Sequence, residues 1–314
     1  MKGWLFTDAH QPLQLIEREN PRPGPGEVVV TVKGAGLCHS DCGVIDGTLL
    51  AAMPKQPPII LGHEVAGIIA EVGSRVTGYK VGDRVVASGT PEFCPGWTAD
   101  GGYASHCLLT EKCLLPLPET VSFSQGAAAT DAGMTAHGAL MRAGQLRAGQ
   151  RVGIIGLGGL GMTGARIAVL NGAEVYAAEP RREAWAPARE QGVLEIVEDA
   201  CALAPFACDL IVDFAGFGDT TAGAISAVRP GGLVVQVGLG RIEATISTME
   251  LVGKQVTLRG NQGGDASDTA AVLAYMAKGE LAIQADPIGF DEIPEGLARL
   301  DRGGVVGRIV AEMN

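Results

Sequence analysis

Apolar residues fall into two rhythms along this chain. In the first third they form short runs at residues 28–33 (VVVTVK), 65–72 and Arg84–Ala87, separated by Pro and Gly turns. Runs of this kind predict strands. No long helical period occurs before about Ser122, so the region reads as a β-rich domain. From about residue 150 the rhythm alternates. Strands are predicted at Arg151–Ile155, Glu174–Ala178, 209–213, 233–237 and 254–259, and helices at 165–170 and 221–228. Pro230-Gly231-Gly232 lies where a helix should stop. Alternating strands and helices imply a doubly wound parallel sheet, hence an α/β protein. Past Gly260, Val272, Leu273 and Met276 share one apolar helical face, and Ile293, Leu297 and Leu300 share another. A last strand is predicted at 305–310. It has two possible homes, one in each sheet, and the pattern does not choose between them.

The turn after Arg151–Ile155 reads Gly156-Leu-Gly-Gly-Leu-Gly161. Gly156 suits a tight turn, Gly158 lets the backbone approach a pyrophosphate, and Gly161 lets the helix pack on the strand. The helix start then offers free N–H groups and partial positive charge to phosphates. In a chain with 46 glycines the pattern alone would be weak. Its strand–helix context strengthens it, as does Glu179, which ends the next strand near the roughly 20-residue spacing of a ribose-binding acid. This predicts NAD(H), since a carboxylate there would repel the 2′-phosphate of NADP(H). Arg181 and Arg182 pull toward phosphate and leave NADP(H) use open.

Two other stretches carry metal chemistry. Cys38-His39-Ser40-Asp41 and Gly62-His63-Glu64 offer a thiolate, an imidazole and carboxylates. Composition fits an enzyme of this type. A chain of 314 residues suggests two domains, and a net charge of −11 argues against nucleic-acid or anionic-membrane partners. No charged-then-apolar leader and no long apolar segment is visible, and seven irregularly spaced cysteines read as reduced thiols. A cytoplasmic location is expected.

With these residues in hand, the chain resembles the zinc-type medium-chain alcohol dehydrogenases. The likeness runs through the 27–33 strand, the two ligand motifs, Gly82-Asp-Arg-Val85, the glycine turn and the closing Gly307-Arg-Ile-Val310. It implies a GroES-like catalytic domain at 1–131 and a Rossmann domain at 132–259. Residues 260–314 would return to complete the first domain, and the active site would lie in the cleft. The resemblance makes Cys38 and His63 ligands of one catalytic zinc, with Glu64 beside it and Asp41 fixing the His63 ring. Most members have a second ligand cysteine where this chain has Asp131. Carboxylate is an accepted zinc ligand, and the bacterial secondary-alcohol branch has aspartate there. Many members also bind a structural zinc with four close cysteines. Here only Cys94 falls between Val86 and Gly102, which implies a single zinc. Gly43 stands where several relatives end their proton relay with histidine, leaving Ser40 to pass the proton. By the same likeness His39 and Arg308 would meet the pyrophosphate and Thr135 would buttress the nicotinamide. His10, His106 and His137 have no such role.

The implied activity is hydride transfer between a nicotinamide and a small alcohol or carbonyl substrate, by a homodimer or homotetramer. Two alternatives remain: a reductase of activated C=C or C=N bonds with passive or absent zinc, and a non-catalytic dinucleotide-binding regulator.

Overall fold

The computed structural model describes residues 1–313. They divide into two compact units: Met1–Asp131 with the chain from Asp265 onward, and Ala132–Gly264.

In the first unit the long strand Glu27–Leu37 is the axis of the main sheet. It pairs antiparallel with Glu64–Val72 on one side. On the other it pairs with His106–Thr110 near its start and Arg308–Glu312 near its end. Arg84–Ala87 and Leu114–Pro116 continue the sheet in one direction, and Ala285–Gly289 ends it in the other. Val28, Val30, Val32 and Leu37 are buried with Val65, Ile69 and Ile309, which gives the unit its apolar core. Register shifts at Val29/Val30 and Val32/Gly34 mark bulges, which bend a strand. The last strand therefore has its home in the first unit. It begins at Arg308 rather than 305, because Gly307 turns the chain with φ of 88° and packs on the Gln284 carbonyl. The helices Ala266–Ala277 and Ile293–Asp301 bury Val272, Leu273 and Met276, and Ile293, Leu297 and Leu300.

The second unit is a six-stranded parallel sheet. Its order is Glu195–Val197, Glu174–Ala178, Arg151–Ile155, Leu210–Asp213, Leu233–Gln236, Thr257–Gly260. Val152, Ile154, Ile211 and Val234 are fully buried, as expected for strands covered on both faces. The helices Gly159–Leu170 and Asp219–Ala227 make crossovers of a Rossmann-type doubly wound sheet. The edge strand starts at Thr257, later than its apolar run suggests. Ser247 caps a short helix Thr248–Gly253, and that helix extends its C-cap to Lys254. No described helix is long and apolar enough to cross a membrane.

Candidate functional site

Three neighbouring strands deliver the chemistry to one end of the first unit's sheet. Gly36 lies opposite Glu64, and Leu37 opposite Ile309. Cys38, Glu64 and Arg308 therefore arrive side by side. Gly36 is required here: a Cβ on it would fall 2.1 Å from Glu64 Oε2. The space lets the Glu64 carboxylate reach Arg308, whose Nε donates to Oε2 at 3.1 Å while Nη2 donates to Oε1.

Cys38 opens the helix His39–Ile45, and its backbone N–H donates to Asp41 Oδ2 at 3.2 Å. Oδ1 of the same buried carboxylate lies 3.4 Å from His63 Nδ1, so His63 presents Nε2 to the cluster. Asp131 comes from a helix beginning at Phe123, where Ser122 Oγ accepts from the Gln125 N–H. That helix widens into a π-turn at Ala129–Gly133, a geometry frequent at functional sites.

The ligand atoms of Cys38, His63, Glu64 and Asp131 all lie within 4.8 Å of one another, the one such group among the described residues. Asp131 Oδ2 is 3.3 Å from Cys38 Sγ and 3.8 Å from His63 Nε2. Adjacent ligands on a tetrahedral zinc with ordinary bond lengths are separated by roughly 3.4–3.6 Å. The donor set also fits: a thiolate and an imidazole are zinc's preferred ligands, and a carboxylate is accepted.

Electrostatics hold the carboxylate ready. Burial opposes a charge on Asp131, but Arg308 and His63 outweigh it and keep its carboxyl well below the usual range. Glu64 goes the other way: burial, with Asp131 nearby, pushes it up to about 7 although Arg308 pulls it down. Burial also opposes a charge on His63, yet Asp41, Asp131 and Cys38 raise its pKa well above the ordinary value. A metal ion on Nε2 must displace that proton.

The remaining candidates separate. Ser40 is half-buried in the first turn after Cys38, and His39 is exposed. Arg308 was expected at a pyrophosphate. Its side chain is buried and held by Glu64 and Asp131. The strand register explains this, because it stacks Arg308 beside Glu64. Two residues that the sequence did not single out join the site. Trp97 Nε1 lies 3.3 Å from His63 Nδ1, and the Tyr103 hydroxyl donates to Asp41 Oδ2 at 2.7 Å. Trp97 lies on a short loop that packs on Gly62: a Cβ at Gly96 would sit 2.8 Å from Gly62 N. The Gly-rich spacing around it was the only available signal.

In the second unit, Gly156 turns with φ of 82°, and a Cβ on Gly161 would lie 1.7 Å from the Gly156 carbonyl. A Cβ on Gly158 would meet nothing within 4 Å, which leaves its backbone open to a ligand beside the helix start. Thr135 is buried in the helix Met134–His137. Glu179 is buried and already engaged. Oε2 accepts from the Leu157 N–H at 2.7 Å, and Arg181 donates to Oε1 through its backbone N–H at 3.0 Å and Nε at 2.9 Å. Arg181 Nη2 adds a bond to Oε2 at 3.1 Å. Arg182 stacks over Trp185, 4.0 Å from its ring centre.

Comparison with known proteins agrees with both halves. Residues 24–119 match the alcohol dehydrogenase GroES-like domain, and residues 159–278 match the zinc-binding dehydrogenase family. An alcohol dehydrogenase of Geobacillus stearothermophilus is 30% identical over 348 residues, covering 100% of both chains. Acetophenone reductase from Geotrichum candidum, solved in complex with NAD, is 28% identical with a TM-score of 0.91, covering 99% of this chain and 96% of that one. An alcohol dehydrogenase of the hyperthermophilic archaeon Aeropyrum pernix is 26% identical with a TM-score of 0.92, covering 99% of this chain and 100% of that one. The chain belongs to the zinc-type medium-chain alcohol dehydrogenase family, and so to the oxidoreductases.

Proposed function

We propose that this protein interconverts small alcohols and their aldehydes or ketones by hydride transfer, with one zinc per chain and NAD(H) as preferred cofactor. The observation that carries the reading is the cluster of Cys38, His63, Glu64 and Asp131, all within 4.8 Å of one another. When bound, zinc would polarise a substrate oxygen and lower an alcohol's pKa, and the nicotinamide would carry the hydride. The protein's own residues do the rest. Cys38, His63 and Asp131 hold the ion, and Glu64 stands as a fourth or exchangeable ligand. Ser40 Oγ, in the turn after Cys38, takes the substrate hydroxyl proton and passes it outward. Gly156, Gly158 and Gly161 cradle the pyrophosphate, and Thr135 supports the nicotinamide.

The same reading includes a homo-oligomer in the cytoplasm. Leu239, Ile242, Met249 and Val252, close together in the sequence, are each more than half exposed. Light scattering on the purified protein tests the assembly, and a monomer would rule it out.

One observation favours a second reading. Arg308 binds both Glu64 and Asp131, so the carboxylates are satisfied without an ion. A reductase of activated C=C or C=N bonds with a passive metal would tolerate that arrangement. Metal analysis combined with a screen of ketones against enones separates the two. Turnover of ketones that is lost on chelation and restored by zinc supports the dehydrogenase. Chelator-resistant turnover confined to enones supports the alternative.

A further inference from the structure

We infer that Tyr103 is a positioning residue for the metal centre, acting through Asp41. The inference rests on the proposed metal-binding role of Cys38, His63 and Asp131. Asp41 touches both ligand arms on the side away from their ligand atoms, at the Cys38 backbone and at His63 Nδ1. Its Oδ2 accepts from the Cys38 N–H at 3.2 Å, and its Oδ1 faces His63 Nδ1 at 3.4 Å. Whatever fixes Asp41 therefore sets the Cys38 backbone and the His63 ring together.

Tyr103 is what fixes it. The residue is fully buried, and its hydroxyl lies 2.7 Å from Asp41 Oδ2 and 3.4 Å from the Gly36 carbonyl. A phenol has one proton to give. The shorter contact to a charged oxygen is much the stronger, so the proton goes to Asp41. Backbone bonds hold the residue itself: its N–H donates to the Leu61 carbonyl at 3.1 Å, and its carbonyl accepts from the Trp4 N–H at 2.8 Å. The ring lies against Gly62, the residue before His63. A Cβ on Gly62 would fall 2.5 Å from Tyr103 Cδ1. One side chain thus meets the backbone next to His63 with its ring and the carboxylate behind the His63 ring with its hydroxyl. Outer partners of this kind orient metal ligands and raise their basicity.

The test is Tyr103→Phe in the full chain. It keeps the ring packing and removes only the hydroxyl. Zinc affinity is measured by competition with a chelator, the cobalt(II)-loaded forms are compared by absorption, and Asp41→Asn is prepared alone and in combination. The expected result is a fall of about 10- to 100-fold in metal affinity for Tyr103→Phe. The cobalt spectrum should change and NAD(H) affinity should not. In the Asp41→Asn background the second substitution should change metal affinity less than about twofold, since its route is already cut. Wild-type affinity and an unaltered cobalt spectrum in Tyr103→Phe would overturn the role. A loss equally large in the Asp41→Asn background would overturn it too, because the hydroxyl would then act through packing. Wild-type protein that takes up no zinc would instead overturn the metal centre itself.

Discussion

Cys38 Sγ and Asp131 Oδ2 meet at 3.3 Å, although 93 residues separate them in the chain. The strand Glu27–Leu37 delivers one and the π-turn Ala129–Gly133 delivers the other. Neither residue has a reason to be there as packing. A thiol beside a carboxylate gains one weak hydrogen bond, while burying the carboxylate is costly without a cation. Arg308 supplies a cation in the structure, and a zinc ion would supply a second.

Metal content follows from that pairing. Elemental analysis should give one zinc per chain. Asp131→Ala should lower affinity by more than the roughly 100-fold upper range for losing an outer partner, and turnover should fall with it. Asp131→Cys should retain the metal, since thiolate is a good zinc ligand. Two zincs per chain, or an Asp131→Ala variant that keeps its zinc, would contradict the assignment.

The two functions should separate by mutation. Cys38→Ser replaces a proposed ligand in the first unit, whereas the glycine cradle lies within Ala132–Gly264. Carbonyl reduction should be abolished while NAD(H) binding, followed by nicotinamide fluorescence, stays measurable. Ser40→Ala should lower turnover by about 100- to 10,000-fold if its hydroxyl carries the proton. An unchanged steady-state rate would remove Ser40 from the relay.

Much of this was legible from local pattern, and the limits are physical. The cradle could be read because a strand, a glycine turn and a helix are contiguous, so Gly156, Gly158 and Gly161 carry their own context. Cys38 and His63 could be read from short motifs. Arg308 could not. Its role depends on which strand pairs with which, and the tail pattern left two homes open. Once Arg308–Glu312 pairs with Glu27–Leu37, the guanidinium lies beside Glu64 and partners the carboxylates. Tyr103 and Trp97 were hidden for a similar reason. Nothing in a Gly-Gly-Tyr or Gly-Trp sequence says that a hydroxyl or indole N–H faces a buried polar group. The helix His39–Ile45 was missed because seven residues with Gly43 inside make too short a period to detect.

The loop that carries Trp97 should show an acid-dependent anchor at Asp100. Oδ1 accepts from the Ile60 N–H at 3.1 Å and from Lys55 at 3.4 Å, and Arg18 pairs with Oδ2. Burial raises the Asp100 pKa, but these partners outweigh it and hold the carboxyl below its ordinary value. A depressed folded pKa gives stability that is present above the unfolded value of about 3.9 and is lost as pH falls through the folded one. Arg18 and Lys55 are partly exposed, so solvent screens their pairs. Arg18 comes first among the groups that lower the pKa, followed by the Ile60 N–H and Lys55. Asp100→Asn should therefore cost about 1–2 kcal/mol at neutral pH. The gap from wild type in chemical denaturation should shrink steadily below about pH 4. A gap independent of pH would show that the carboxylate charge has no part in the anchor.

Cofactor choice turns on a contest within three residues. Glu179 ends its strand where a ribose-binding acid belongs, and Arg181 grips that carboxylate with its side chain at 2.9 and 3.1 Å. The Leu157 N–H holds it as well, at 2.7 Å. Two consequences follow. The carboxylate is partly neutralised, so its repulsion of a 2′-phosphate is weaker than an unpaired acid would give. The guanidinium is also occupied, so it is not free to bind that phosphate. NAD(H) should remain preferred, because its ribose hydroxyls can donate to a carboxylate that is fixed in place and ionised. Burial acts against the charge, yet Arg181 and Leu157 keep the Glu179 pKa below its ordinary value. Arg181→Ala should widen the preference for NAD(H) by leaving the Glu179 charge unneutralised, so that it repels a 2′-phosphate more strongly. Glu179→Ala should reverse it by releasing Arg181. One charge-assisted hydrogen bond is worth about 1.5–3 kcal/mol, so each shift in the ratio of kcat/KM should be roughly 10- to 150-fold. The measurement is kcat/KM with both cofactors for wild type and the two variants. A wild-type preference for NADP(H), or an Arg181→Ala ratio that does not move, would show that Glu179 does not set the choice.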